Sequence, residues 1–113
     1  MKVSQSAVLS SSLLLQAQQI GGALARLRTA RGVKQADAAL RAGISRNTAY
    51  RLERGDPGLA MGQVLRYLDA IAPGSSLLQL LLESDPSLGA LEQREQTQRV
   101  RGLSAADLDG LNF

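Results

Sequence analysis

The stretch from Gln35 to Gly55, QADAALRAGISRNTAYRLERG, constrains the fold more than any other part of the chain. Residues 35–42 are almost all strong helix formers, four of them Ala. The run stops at Gly43, a residue that can take the left-handed backbone a sharp turn requires. Ile44 is a single apolar residue placed to plug between two helices, and Ser45 offers a hydroxyl as the N-cap of the next one. The second helix is predicted to run to Arg54 and to close on Gly55-Asp56-Pro57-Gly58, with Gly just past the last turn and Pro beyond it. On it Ala49 and Leu52 can face inward, while Arg46, Asn47, Tyr50, Arg51 and Arg54 take the outer face or its edges. Two short helices joined by a tight turn thus present one basic, hydrogen-bonding surface.

Composition narrows what that surface can do. The 113 residues include no Cys and no His, which removes thiol chemistry, imidazole bases and the usual zinc or iron ligands. Asp56, Asp69 and Asp85 form no carboxylate pair on one face, and no Gly-rich phosphate loop follows a strand. No enzyme activity, metal or cofactor is therefore expected. The length suits one domain, with little chain left over to enclose a ligand pocket. With only 3% aromatic residues there is no platform for stacking single-stranded bases, so a nucleic-acid partner would be duplex. Residues 26–54 carry eight Lys or Arg (Arg26, Arg28, Arg31, Lys34, Arg41, Arg46, Arg51, Arg54) against Asp37 and Glu53, a net +6. Residues 83–113 carry six acids against three Arg, a net −3. This asymmetry points one face at a polyanion. The N-terminal apolar run, Leu13 to Leu15, is too short for a signal peptide, and no stretch reaches the roughly 18 apolar residues needed to span a bilayer. A soluble, cytoplasmic protein is expected.

Residues 1–11 are Ser-rich without a sustained period and read as a flexible N-terminus, a short strand over 3–9 being the alternative. From Leu13 the apolar positions 13, 17, 20, 24 and 27 mark a helical face that stops at Gly32. Gly21-Gly22 interrupts it, which calls for a bend or a close helix contact. In the 35–42 helix Ala38, Ala39 and Ala42 face inward, and Leu40 points away, either exposed or against the N-terminal helix. Residues 62–72 make a helix with Val64, Leu65, Leu68 and Ile71 on one side. Ser75 or Ser76 caps a last short helix containing Leu77, Leu78, Leu80, Leu81 and Leu82. Five Leu in six positions exceed what one small core needs, and Leu77, Leu78 and Leu81 are expected at a dimer interface. A tail, 85–113, follows Asp85-Pro86. It reads as partly helical or disordered and ends in sparse apolar residues, Leu103, Leu108, Leu111 and Phe113, among acids.

The pattern Gln35-x-x-Ala38-Ala39-x-x-Ala42-Gly43-Ile44-Ser45-x-x-Thr48-x-x-x-Leu52-Glu53-x-Gly55 resembles the Cro and phage-repressor (Xre-type) helix-turn-helix family over about residues 20–82. The resemblance implies an all-α fold: a five-helix repressor-type domain over 12–84, with an extended N-terminal helix and a C-terminal tail. The family often carries a larger aliphatic at the position of Ala38, so here either the helices sit closer or another residue fills the gap.

A helix in the major groove reads bases from its N-terminal turns, and Arg and Asn can pair with guanine and adenine edges. Arg46, Asn47 and Arg51 are placed for this, and the matching family positions contact bases. Tyr50 can meet a thymine methyl or a phosphate. The resemblance implies phosphate contacts at Gln35, Thr48 and Arg54. Ser45 stands at the head of the reading helix, and spacing adds Lys34 and Gln63. The family also pairs an Arg on the first helix with a Glu at the end of the third, positions held here by Arg28 and Glu53, which implies a structural ion pair.

The function expected is a sequence-specific regulator binding double-stranded DNA, a repressor acting as a homodimer on a palindromic operator. The alternative is an antitoxin. The segment ERGDPGLAMGQVLRYLDAI is similar to antitoxins that pair with HipA-type kinases, and such a protein would regulate its own promoter and hold a toxin through its tail or dimer surface.

Overall fold

The computed structural model describes residues 3–111, with side chains through Arg101. The described residues form helices and turns in the order α1 (Gln5–Val8), α2 (Ser11–Ala30), α3 (Gln35–Ala42), α4 (Arg46–Glu53), α5 (Met61–Ile71), α6 (Leu77–Leu81) and α7 (Pro86–Leu111). The expected all-α, five-helix domain is α2 to α6. Residues 5–8, expected without regular structure or as a strand, instead make one helical turn before Leu9 and Ser10 return to extended backbone. Leu103, Leu108, Leu111 and Phe113 lie outside the described side chains.

α2 runs unbroken through Gly21-Gly22, and the two glycines differ in what they do. A Cβ on Gly21 would lie 2.6 Å from the backbone N of Gly55 and from the backbone O of Leu52. One on Gly22 would meet nothing within 4 Å. Of the two readings the sequence allowed, the close contact holds at Gly21. α2 crosses the end of α4 backbone to backbone.

The core gathers Leu24 and Leu27 of α2, Ala38, Ala39 and Ala42 of α3, Ala49 and Leu52 of α4, and Tyr67, Leu68 and Ile71 of α5. Four of these are Ala, so α3 and α4 can pack close to their neighbours. Tyr67, at 0% exposure the bulkiest fully buried side chain, supplies volume that the alanines lack. The inward face of α5 is therefore Val64, Tyr67, Leu68 and Ile71. Leu65, expected inside, is 46% exposed, because successive residues turn by about 100° around a helix and Leu65 falls at the edge of that stripe. Leu40 is also exposed.

Ser76 caps α6 through a capping box: its Oγ accepts from Gln79 N at 3.1 Å, and Gln79 Oε1 accepts from Ser76 N at 2.8 Å. Leu80 is buried and Leu77 packs against the core of its own chain. Leu77 is thus partly buried against its own domain, whereas Leu78 and Leu81 are exposed.

α7 leaves the domain at Asp85 and folds back along α2. Leu88 is buried, Arg26 Nη2 reaches Glu95 Oε1 at 2.8 Å, and Arg31 Nη2 reaches Asp85 Oδ2 at 2.6 Å. From Gln96 to Arg101 every residue is exposed. Asp85 also accepts from Ser87 N and Ser87 Oγ, and these bonds, with Arg31, hold its carboxyl below the usual carboxylate range.

Gly22→Ala should raise stability by about 0.5–1 kcal/mol by removing backbone entropy from an open helix position, whereas Gly21→Ala should cost about 1–3 kcal/mol by forcing α2 off α4; urea denaturation of both separates them. The Asp85 contribution should be complete above its ordinary pKa, about 3.9, and should fade as the pH falls through the lower folded value. Asp85→Asn should therefore lose stability at neutral pH and show a shallower acid decline, read by thermal melting across pH 2–6.

Candidate nucleic-acid interface

The α3–α4 unit is built as the local sequence requires. Gly43 takes the left-handed conformation, φ 70°, so Ile44 N can reach back to Ala39 O at 3.0 Å and Gly43 N to Leu40 O at 3.2 Å. This double closure ends α3 and turns the chain sharply. Ile44 packs against the core. Ser45 Oγ accepts from Thr48 N at 3.0 Å and its hydroxyl donates to Thr48 Oγ1 at 2.9 Å, starting α4. With Ala49 and Leu52 buried, the helix can roll neither way, and Arg46, Asn47, Tyr50, Arg51 and Arg54 all stand exposed.

These side chains are held to different degrees. Arg46 and Asn47 make no hydrogen bond among the described residues and can follow a partner. Arg54 lies over the Tyr50 ring, 5.4 Å from its centroid, and its Nη1 donates to the Tyr50 hydroxyl at 2.9 Å. Arg51 Nε donates to Asp56 Oδ2 at 2.8 Å, and Asp56 Oδ1 accepts from Gly58 N, also at 2.8 Å. The bond from Gly58, with Arg51, keeps the Asp56 carboxyl below its ordinary range. Residues 3–6 line an open hollow beside this pair, so the first described turn of the chain sits at the edge of α4.

Behind the surface, Glu53 collects donors from three other elements. Arg28 Nε meets Oε2 at 2.6 Å and Arg28 Nη2 meets Oε1 at 3.0 Å, while Arg28 Nη1 donates to Val33 O at 2.9 Å. The Tyr67 hydroxyl donates to Oε2, and Gln35 Nε2 to Oε1 at 3.2 Å. The hydrogen bond to Glu53 raises the pKa of Arg28. Burial, reinforced by the neighbouring carboxylate, pushes the Tyr67 hydroxyl well above its ordinary value. Both therefore keep their protons.

Several of the residues expected to contact DNA also make bonds within the protein. Gln35 commits one amide hydrogen to Glu53 and keeps the other. Gln63 Oε1 accepts from Ala60 N at 3.0 Å and so caps α5. The hydroxyl of Ser45 is bonded to Thr48. Lys34 is exposed at the N-cap of α3 without a side-chain cap bond. Arg26 and Arg31 leave the basic face for α7. Two residues outside the expected set join the surface. Arg66 is exposed on α5, its Nη1 3.5 Å from where a Cβ on Gly43 would stand, and its spacing of three from Gln63 was the available signal. Asp56, five residues after Arg51, is the other.

Two short helices packed across a left-handed glycine turn, each burying one face and the second carrying basic side chains on the other, make a helix-turn-helix. The family model described as helix-turn-helix domain matches residues 19–78, more than half of the chain, and the chain belongs to that family. No curated protein and no solved structure matches it. No helix among the described residues is long and apolar enough to cross a membrane.

The Glu53 cluster sets a control for any binding study. Arg28→Ala leaves a largely buried carboxylate uncompensated and should cost about 3–5 kcal/mol. Its loss of DNA binding, followed by titration alongside urea unfolding, should scale with the unfolded fraction.

Proposed function

We propose that this protein is a sequence-specific transcriptional regulator, a homodimeric repressor that reads duplex DNA with α4 and has no catalytic role. The observation that carries the reading is the placement of Arg46, Asn47, Tyr50, Arg51 and Arg54 on one exposed face whose opposite side is locked into the core. Arg46, Asn47 and Arg51 face base edges. Lys34, Gln35, Thr48, Arg54 and Arg66 surround them and serve the phosphates, with the remaining donors of Ser45 and Gln63 nearby. Arg and Lys displace counterions for general affinity, and the base contacts add discrimination.

The dimer is supported by Leu78, Leu81 and Leu82, large apolar side chains left exposed together on and just after α6. Two-fold symmetry would place half-sites about 34 Å apart, one helical turn, and occupancy of a promoter would exclude polymerase. The regulator reading is favoured over the antitoxin because the first part of α7 finds its partner in α2 of the same chain, through Leu88, Arg26 and Arg31, rather than waiting for a second protein.

Binding to duplex fragments from the protein's own promoter region should be tight, salt-sensitive and selective for one fragment. In an Arg46→Ala, Arg51→Ala double variant the preference should shrink by about 1–3 kcal/mol for each lost base contact, while weak binding to unrelated duplex and the melting temperature persist. Equal binding to every fragment by the wild-type protein would sink the proposal.

A further inference from the structure

We infer that Asp56 is a positioning residue for base readout: its carboxylate holds Arg51 by Nε so that the two Nη groups are offered as a fork to a guanine edge. The inference rests on the reading of α4 as the base-contacting helix, and it follows from how that helix ends. Gly55 is left-handed, φ 79°. Asp56 N bonds back to Arg51 O at 3.0 Å and Gly55 N to Leu52 O at 3.0 Å. A helix end closed in this way brings the residue after the glycine against the residue five positions earlier, where an apolar contact is common. Here the contact is ionic.

The carboxylate is fixed at both oxygens. Oδ2 accepts from Arg51 Nε and Oδ1 from Gly58 N, so it cannot rotate without losing one bond. The turn is itself pinned to the domain, since a Cβ on Gly55 would fall 2.4 Å from Gln18 Cα of α2. A rigid path therefore runs from α2 through Gly55 and Asp56 to the Arg51 guanidinium.

The geometry suits presentation rather than masking. Asp56 takes Nε alone. Nη1 and Nη2, which carry four of the five guanidinium donors, have no hydrogen-bond partner among the described residues, and the Arg51 side chain is 45% exposed. With Nε occupied, the pairing left is end-on, Nη1 and Nη2 to O6 and N7 of guanine. Part of the rotamer freedom that an unheld arginine would surrender on binding is already restricted in the free protein. A carboxylate at this edge also repels phosphates, so Asp56 should lower general affinity while sharpening discrimination. A residue that only stabilises the turn would not move those two readouts in opposite directions.

The test is selection from a random duplex library by wild type, Arg46→Ala, Arg51→Ala, Asp56→Asn and the Arg51→Ala, Asp56→Asn double variant, with titration against one scrambled duplex and thermal melting of each protein. Asn keeps an acceptor for Gly58 N, and Asp56→Ser, whose hydroxyl can also accept there, is carried as a second variant in case Asn unfolds. Arg51→Ala should erase a guanine preference at one position of each half-site. Asp56→Asn should weaken preference at that same position about three- to tenfold, a fraction of what a full bidentate contact supplies, and leave the other positions sharp. Affinity for scrambled duplex should hold or rise, and adding Asp56→Asn to Arg51→Ala should change nothing further at that position. The inference is overturned if the Asp56 variants select as sharply as wild type, or if they weaken every position and the scrambled duplex alike. If Arg51→Ala relaxes no position while Arg46→Ala does, this inference falls and base reading by α4 stands. A wild-type protein that selects no motif would remove the proposed function and this inference with it.

Discussion

One carboxylate ties the orientations of α2, α3, α4 and α5 to one another. Glu53 sits at the end of α4 and receives Arg28 from α2, Gln35 from the first turn of α3 and Tyr67 from α5. Apolar burial drives these helices together but has no direction. In a core where four of the ten residues contributed by α2 to α5 are Ala, it also supplies few interlocking shapes. Hydrogen bonds in a low-dielectric site are directional, and a half-satisfied cluster there is costly. Four elements can satisfy Glu53 together in few arrangements. No buried side-chain polar atom among the described residues lacks a partner.

The second constraint is steric. α2 and the end of α4 touch backbone to backbone at Gly21 and Gly55, each glycine lying where the other segment would collide with a Cβ. This contact fixes how far α4 stands from α2, as the Glu53 cluster fixes its rotation. Together they hold the outward face of α4 steady enough for hydrogen-bond distances to matter, which a base-reading helix requires.

The sequence made part of this legible and hid the rest for physical reasons. The α3–α4 unit could be read because glycine, an apolar plug and a serine cap are local signals, each acting within a few residues. α5 was placed correctly, and Val64, Leu68 and Ile71 do face inward, but Leu65 was included on that face and Tyr67 was not. Tyr67 was missed because its burial depends on Glu53, fourteen positions away, accepting from its hydroxyl. The meaning of Gly21 was open for the same reason: a close contact is a property of two segments, and only one is visible at a time. The link between Arg51 and Asp56 was nearer to hand, because a glycine-closed helix end commonly apposes those two positions. Arg26 and Arg31 were misassigned to the basic face because counting charges along a chain ignores which acids fold back upon them.

That last point changes the electrostatic argument about the whole molecule. The net +6 of residues 26–54 is not all available to a polyanion, since Arg28 is held by Glu53, Arg26 by Glu95 and Arg31 by Asp85. What remains without a carboxylate partner among the described residues is Lys34, Arg41, Arg46 and Arg54, joined by Arg66 from outside the segment. A field of this size steers a duplex toward the surface and is screened within about 8 Å at physiological salt. It cannot discriminate one sequence from another. On the proposed reading discrimination falls to Arg46, Asn47 and Arg51, of which Arg51 alone is held before contact, by Asp56, while the Arg54–Tyr50 pair steadies a phosphate-facing group.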